Sequence, residues 1–212
     1  MKSDFMEIFE YAVSRHKVHI ITNGTPLNET MVDILLRKRL RSLFGSGMFF
    51  LGVSMEGREE LHDRITTIPG SFQKTTRGLE RLLKERRGRR YPLVHLTCVI
   101  NAANVCDLVF LYDYANKLGV DVCNFVLSNP ATYWHGKDYE QATHLQKATP
   151  PVEPIDPHTL REQLNILEQK SKTYKTLLRY SPNFITAEEI VRYYSNKSSY
   201  EDYRCYAPWT KV

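Results

Sequence analysis

Ser54-Met55-Glu56-Gly57 places a hydroxyl and a carboxylate two positions apart at the end of a predicted strand. Side chains two apart on a strand point the same way. A hydroxyl beside a carboxylate suits a ribose diol or another polyol, although the same four residues also read as a polar strand end closed by a turn glycine. Thr22-Asn23-Gly24 ends a second strand and Asn101 ends a third. Open α/β folds bind ligands at the carboxyl ends of their strands, so three polar strand ends on one edge define a site better than any one alone. His62-Asp63 reads either as an acid–base pair or as an ordinary capping contact. Arg37-Lys38-Arg39-Leu40-Arg41 and Lys84-Glu85-Arg86-Arg87-Gly88-Arg89-Arg90 both close helices. Cations there complement the helix dipole, which favours solvated helix ends over phosphate binding. Trp134 and His135 suit a pocket mouth or a packed loop equally.

Strictly alternating elements must position these groups. Helical spacing runs through Phe5, Ile8, Phe9, Ala12 and Val13, and Val18–Thr22 follows as a strand. Asn28 caps a helix through Met31, Ile34 and Leu35, and Met48–Ser54 is the next strand. Residues 55–70 read as a loop. Ser71 is the expected cap of a helix through Phe72, Leu79, Leu82 and Leu83. Strand Leu93–Asn101, a helix over 104–117 stopped by Gly119, and strand Val120–Leu127 complete the series. Strict alternation with short connections predicts four parallel strands in sequential order with helical crossovers. In the third strand Val94, Leu96, Cys98 and Ile100 share an apolar face, whereas His95, Thr97, Val99 and Asn101 share a mixed one. A sheet covered on both faces would be apolar on both, so the split predicts a partial barrel with helices outside and a lumen or cleft inside. The strand at 18–22 is expected at the sheet edge. Its unpaired amides and the open lumen predict poor solubility.

Beyond residue 128 five prolines fall within 128–158 and mark an irregular segment. Asp156-Pro157 opens a helix read through Leu160, Leu164, Leu167, Tyr174 and Leu177. Thr186-Ala187-Glu188-Glu189 is a capping box for a last helix through Ile190, Val191 and Tyr194.

The whole chain of 212 residues carries 29 Lys and Arg against 24 Asp and Glu, a net charge of +5. Such modest basicity is only weak evidence for a nucleic-acid partner, and none is expected. No apolar run reaches the ~18 residues of a membrane span, and the first residues are not a secretory signal, so no membrane partner and a cytoplasmic location are expected. Cysteines stand at 98, 106, 123 and 205 with no two-residue spacing, which argues against a zinc site or a disulfide framework. Cys98 and Cys106 read as core residues. Cys205 lies among aromatics in Tyr203-Arg204-Cys205-Tyr206-Ala207-Pro208-Trp209, outside any amphipathic pattern.

Ile21-Thr22-Asn23-Gly24-Thr25-Pro26-Leu27, Val53-Ser54-Met55-Glu56-Gly57 with Glu60-Leu61-His62-Asp63-Arg64, Pro69-Gly70-Ser71-Phe72 before Gly78-Leu79, Val99-Ile100-Asn101 with Asn104-Val105, and Ala115-x-x-Leu118-Gly119-Val120 occur in that order. This series resembles the radical S-adenosylmethionine superfamily over residues 1 to about 130. Cys205-x-x-Pro208-Trp209 resembles the first cysteine of a C-terminal auxiliary-cluster region of the SPASM or twitch type. The resemblance implies a partial (β/α) barrel and an iron–sulfur oxidoreductase that cleaves S-adenosylmethionine reductively at a [4Fe-4S] cluster, giving a 5′-deoxyadenosyl radical that abstracts a substrate hydrogen. It implies S-adenosylmethionine contacts at Ser54, Glu56, Asn101 and Asn23 and a cluster ligand at Cys205. The implied partners are a small-molecule or peptide substrate and a reductant protein.

The family's Cys-x3-Cys-x2-Cys and Gly-Gly-Glu-Pro motifs are absent from this sequence. The four strands match the family's third to sixth. The sequence therefore reads as the middle of a longer enzyme, inactive and cluster-free on its own. Its expected division is a partial barrel core at 1–130, a Pro-rich connecting segment at 131–158, and a helical linker at 159–212 leading into a truncated auxiliary-cluster region. Two other readings stand beside it: a cluster-free binding module or pseudoenzyme on a half-barrel, and a basic nucleic-acid-binding protein.

Overall fold

The computed structural model describes residues 4–128, 153–183 and 185–195. The element order is α1 (Phe5–Arg15), β1 (Lys17–Thr22), α2 (Glu29–Arg37), β2 (Gly47–Ser54), α3 (Glu59–Thr66), α4 (Ser71–Arg86), β3 (Leu93–Ile100), a 3-10 turn (Val105–Asp107) running into α5 (Leu108–Leu118), β4 (Val122–Leu127), α6 (Pro157–Ser171), β5 (Leu177–Ser181) and α7 (Ala187–Tyr194). The strands form one sheet in the order β1-β2-β3-β4-β5, and every neighbouring pair is parallel. No helix among the described residues is long and apolar enough to cross a membrane.

The apolar strand face meets the helices. Leu51, Val53 and Met55 from β2 and its end, Val94, Leu96, Cys98 and Ile100 from β3, and Cys123, Phe125 and Leu127 from β4 are buried with helical side chains such as Leu35, Leu79, Leu82 and Leu111. Leu160, Leu164 and Leu167 of α6 and Ile190 and Tyr194 of α7 join the same core. The opposite face stays open, with Ile21, Val99 and Leu177 exposed on it. The molecule is thus a partial barrel wall with helices on one side, as the split faces of the third strand predict.

Local signals operate as read at three helix starts. Asn28 Oδ1 accepts from Met31 N–H at 3.0 Å, Asp156 accepts from Thr159 N–H at 2.7 Å, and Thr186 and Glu189 close a reciprocal capping box.

The sheet has five strands where four are expected. Leu177 continues a helical spacing in the sequence, but α6 ends at Ser171 and Leu177 opens β5. Tertiary bonds override the local pattern. The buried Thr176 hydroxyl donates to Val120 O at 2.7 Å, and Tyr112 Oη donates to Thr176 O at 2.8 Å. Leu177 N–H then donates to Asp121 O at 3.0 Å and starts the strand pairing with β4. Residues 59–66, expected as loop, form α3, which buries Leu61 and His62. Ser71 is the first residue of α4 rather than its cap. Gly70, at φ 72°, occupies the cap position, a left-handed conformation that glycine adopts without strain.

Candidate functional site

The carboxyl ends of β1, β2 and β3 bring Asn23, Ser54, Glu56 and Asn101 to one edge of the sheet, and each has a different set of local bonds. Ser54 is half-buried, and its hydroxyl forms no hydrogen bond among the described residues. Past it, Met55 N–H still donates to Thr97 O at 2.9 Å, so the strand pairing carries the chain one residue further. Glu56 follows on the open face. Burial raises its carboxyl pKa, and the nearby backbone N–H of Val99 offsets part of that rise. A carboxylate has about four lone-pair sites, so one backbone donor leaves capacity for a ligand diol.

The Glu56 loop is stapled from below. Glu56 N–H donates to His62 Nδ1 at 3.1 Å, which places the imidazole proton on Nε2. Asp107 accepts from Arg58 N–H at 2.8 Å and from Arg58 Nε at 3.0 Å. The Arg58 guanidinium lies 4.2 Å over the Phe110 ring. Glycine leaves the room that these anchors occupy. A Cβ on Gly57 would stand 2.6 Å from Leu61 Cδ2 and 2.8 Å from Asp107 Oδ2.

Asn101 and Asn23 serve local turns. Asn101 Oδ1 accepts from Ala103 N–H at 2.9 Å and Asn104 N–H at 3.1 Å, and its Nδ2 donates to Val99 O at 3.1 Å. The buried Asn104 returns the favour at the strand end, accepting Asn101 N–H at 2.9 Å and donating to Val99 O at 2.8 Å. Asn23 Oδ1 accepts from Thr25 N–H at 3.2 Å and Thr25 Oγ1 at 2.9 Å. Both are Asx turns, which bend the chain away from the strand and expose the edge.

His62 and Asp63 do not form an acid–base pair. Asp63 receives Phe72 N–H and Ser71 Oγ, each at 2.8 Å, together with Gly70 N–H, and these donors pull its pKa down. It therefore supplies the cap of α4 from eight residues upstream. His62 is buried, and burial lowers its pKa. Its role is the bond to Glu56 N–H.

The strand register adds residues that the sequence reading passed over. Ser54 pairs with Thr97, Thr97 with Asn124 and Asn124 with Arg179, so one polar row crosses four strands on the open face. The Ser181 hydroxyl bonds Asn124 Oδ1 at 2.9 Å, and Arg179 Nε donates to Asn183 Oδ1 at 2.9 Å. One row below, burial and the nearby Arg179 charge push His95 down to about 4, so it is neutral at physiological pH. Alternation of Val122, Asn124 and Val126 against Cys123, Phe125 and Leu127 would have exposed Asn124 in the sequence.

The basic runs are helix ends with one exception. Arg37 pairs with Asp33, and Lys38 with Glu10 at 3.5 Å. Arg86 is instead buried in an ion pair with Asp121.

A [4Fe-4S] cluster does not fit the described thiols. Cys98 and Cys123 are fully buried on the helix-facing side of the sheet, and burial pushes both thiols well up. Cys106 is exposed. No group of three or more His, Cys, Asp or Glu with metal-holding geometry occurs among the described residues. Cys205, Trp134 and His135 lie outside the described residues. Because the thiolate is the reactive form, a thiol-reactive probe added to the native protein is expected to label Cys106 rapidly. Labelling of Cys98 and Cys123 should appear only in denaturant, and peptide mapping of the labelled protein would check this. Equal native labelling of Cys98 would contradict its placement.

No protein-family model matches the chain. The Fe-coproporphyrin III synthase of Methanosarcina barkeri is 31% identical over 114 residues, covering 53% of this chain and 25% of that protein. Among solved structures, Streptococcus suis SuiB bound to precursor peptide SuiA superposes with a TM-score of 0.53 at 11% identity, over 78% of this chain and 32% of that one. SuiB in a second crystal structure gives a TM-score of 0.50 at 12% identity with the same coverage. The chain therefore spans about a quarter of the length of the curated relative and about a third of the structural one.

Proposed function

We propose, from the relationship of this chain to the radical S-adenosylmethionine superfamily, that it is the S-adenosylmethionine-contacting section of a longer iron–sulfur oxidoreductase. The observation that carries the reading is the pair at the end of β2. Ser54 presents an unengaged hydroxyl, and Glu56 presents a partly desolvated carboxylate with spare acceptor capacity, held in place by Val99, His62 and Gly57. Together they would grip a ribose diol, with Glu56 accepting hydrogen bonds from both hydroxyls and Ser54 donating to or accepting from the same sugar. Asn23 and Asn101 would shape the edge around that ligand through their turns.

Reductive cleavage needs a cluster held by several converging thiolates, which the described residues do not offer, so no chemical step is assigned to them. Their work is binding and orientation. The cluster, and the auxiliary-cluster role of Cys205, belong to the proposed parent enzyme. A peptide substrate is favoured because a structural neighbour is a complex with a precursor peptide. A small molecule is the alternative, in keeping with the porphyrin product in the curated relative's name. A reductant protein and a cytoplasmic setting complete the proposal.

Calorimetric titration of the chain with S-adenosylmethionine tests the binding reading. Ser54→Ala with Glu56→Ala is expected to weaken binding roughly tenfold or more, since each lost hydrogen bond contributes about 0.5–1.5 kcal/mol and those to a charged group more. Unchanged affinity in a folded double variant would remove the ribose assignment.

A further inference from the structure

A second set of polar groups lies on the open face, toward β5 and away from Ser54 and Glu56. Ser54, Thr97, Asn124 and Arg179 occupy one register row across β2, β3, β4 and β5, and side chains in such a row share a face of the sheet. The first three are half-buried and Arg179 is exposed. Apolar pairs bracket the β4 and β5 end of this row. Val99 pairs with Val126 in the row above, and Val122 with Leu177 in the row below. Leu177 is 67% exposed.

The row carries donors that the described residues leave unused. Thr97 makes no side-chain hydrogen bond among them. Asn124 Oδ1 accepts from the Ser181 hydroxyl at 2.9 Å, which leaves both protons of Nδ2 free. Arg179 Nε donates to Asn183 Oδ1 at 2.9 Å, and that bond fixes the plane of the guanidinium while its two terminal nitrogens stay without a partner among the described residues. The Arg179 charge is felt at His95 on β3, where it adds to the effect of burial, so the guanidinium stands over the sheet. His95 is neutral at physiological pH and does not compete as a second cation. Glu56, the carboxylate of the candidate site, stands past the end of β2, three strands away from Arg179. A planar guanidinium with two parallel N–H donors matches a carboxylate, and an amide beside it supplies a further donor. Apolar walls around a few convergent polar groups are the usual make-up of a small-molecule site.

We propose, resting on the radical S-adenosylmethionine reading for the identity of the ligand, that Arg179 and Asn124 bind a carboxylate of the substrate, seated between the Val99–Val126 and Val122–Leu177 pairs. The substrate is then an anion with an apolar body beside its carboxylate. S-adenosylmethionine carries a carboxylate of its own. Three strand spacings, about 14 Å, separate Ser54 from Arg179, which favours a second molecule over the methionyl end of a nucleoside whose ribose is held at Ser54 and Glu56.

Titration of the full chain with phenylpropionate, followed by NMR at the Arg179 Nε–H and Asn124 Nδ2 resonances, tests the proposal. Binding in the roughly millimolar range is expected of so small a probe, with both resonances shifting. Phenylpropionamide keeps the apolar body without the charge and should bind roughly tenfold more weakly or less. Arg179→Gln should weaken phenylpropionate binding roughly tenfold or more, and Asn124→Ala several-fold. Arg179 is exposed, so its variant keeps the fold, and circular dichroism checks both. Ser54→Ala with Glu56→Ala should leave the affinity for phenylpropionate unchanged, and Arg179→Gln should leave the affinity for S-adenosylmethionine unchanged. Equal binding of acid and amide would overturn the proposal, as would an Arg179→Gln chain that binds phenylpropionate like wild type. An Arg179→Gln chain that loses S-adenosylmethionine tenfold would assign the anion to the nucleoside's own carboxylate and end the substrate reading. The probe needs no S-adenosylmethionine, so a chain that binds phenylpropionate through Arg179 but no nucleoside would remove the ribose assignment and leave the carboxylate site standing.

Discussion

Asp121→Ala is expected to destabilise the fold by about 3–5 kcal/mol, the usual cost of leaving a buried charge without its partner. The stranded charge is Arg86, at the end of α4 and only 9% exposed. Its guanidinium donates through both terminal nitrogens to Asp121 and also to Pro92 O at 3.0 Å. Asp121 additionally accepts Val94 N–H at 2.7 Å, and its backbone bonds Val94 O at 2.9 Å and Leu177 N–H at 3.0 Å. One residue thus joins the starts of β3, β4 and β5 to the end of α4. Arg86→Met should cost less than Asp121→Ala, because Asp121 is the more exposed partner and can rehydrate. The double variant should recover part of the Asp121→Ala loss, as apolar replacements of buried pairs commonly do. Urea denaturation checks all three through a shift in midpoint at constant slope. A loss below ~1 kcal/mol in Asp121→Ala would place the pair among ordinary surface contacts.

Arg86 also shows where sequence reading stops. It sits in a run of five cations among seven residues, and nothing local separates it from its neighbours. Its burial depends on Asp121, 35 positions away. Ser54 and Glu56 were legible because a strand has a period of two and the pair falls within one strand end. Asn23 and Asn101 were legible as polar strand ends, but their amides close turns, a use that their residue type also permits and that spacing cannot distinguish. Asp63 was legible as a cap, yet the helix it caps begins at Ser71, past the intervening turn. Arg179 was hidden because β5 continues the helical spacing of α6 in sequence, and only the Thr176 bonds to Val120 and Tyr112 break it. The parallel strand order from β1 to β4 survived, with α3 as an added helix before α4, because the strands and the longer helices each carry their own period and their own stop signal.

Tyr194 sets the second large expected effect, and it acts at the same sheet edge as the candidate site. Its ring is fully buried in the core shared by α6, α7 and the sheet. Its hydroxyl donates to Ile100 O at 2.6 Å and accepts Ser128 N–H at 2.9 Å. Those two groups are the last carbonyl of β3 and the first amide past β4, which the parallel ladder leaves unpaired at its carboxyl end. Tyr193 Oη adds a bond to Ser128 O at 2.7 Å. The last helix therefore finishes the hydrogen bonding of the strand ends that lead into Asn101. Tyr194→Phe keeps the ring and leaves a buried acceptor and a buried donor unsatisfied, at about 1–3 kcal/mol each where water cannot reach them. Tyr194→Ala also opens a cavity, and removal of a large aromatic side chain brings the total to about 3–5 kcal/mol or more. Chemical denaturation should rank wild type above Tyr194→Phe above Tyr194→Ala. Amide hydrogen exchange separates the mechanisms. Tyr194→Phe should raise exchange at Ser128 well beyond the global loss of stability, because its N–H then has no acceptor, whereas Asp121→Ala, at the far end of the strands, should not. If Tyr194→Phe is as stable as wild type and Ser128 remains protected, the helix is held by its apolar face alone, and the edge that presents Asn101 does not depend on it.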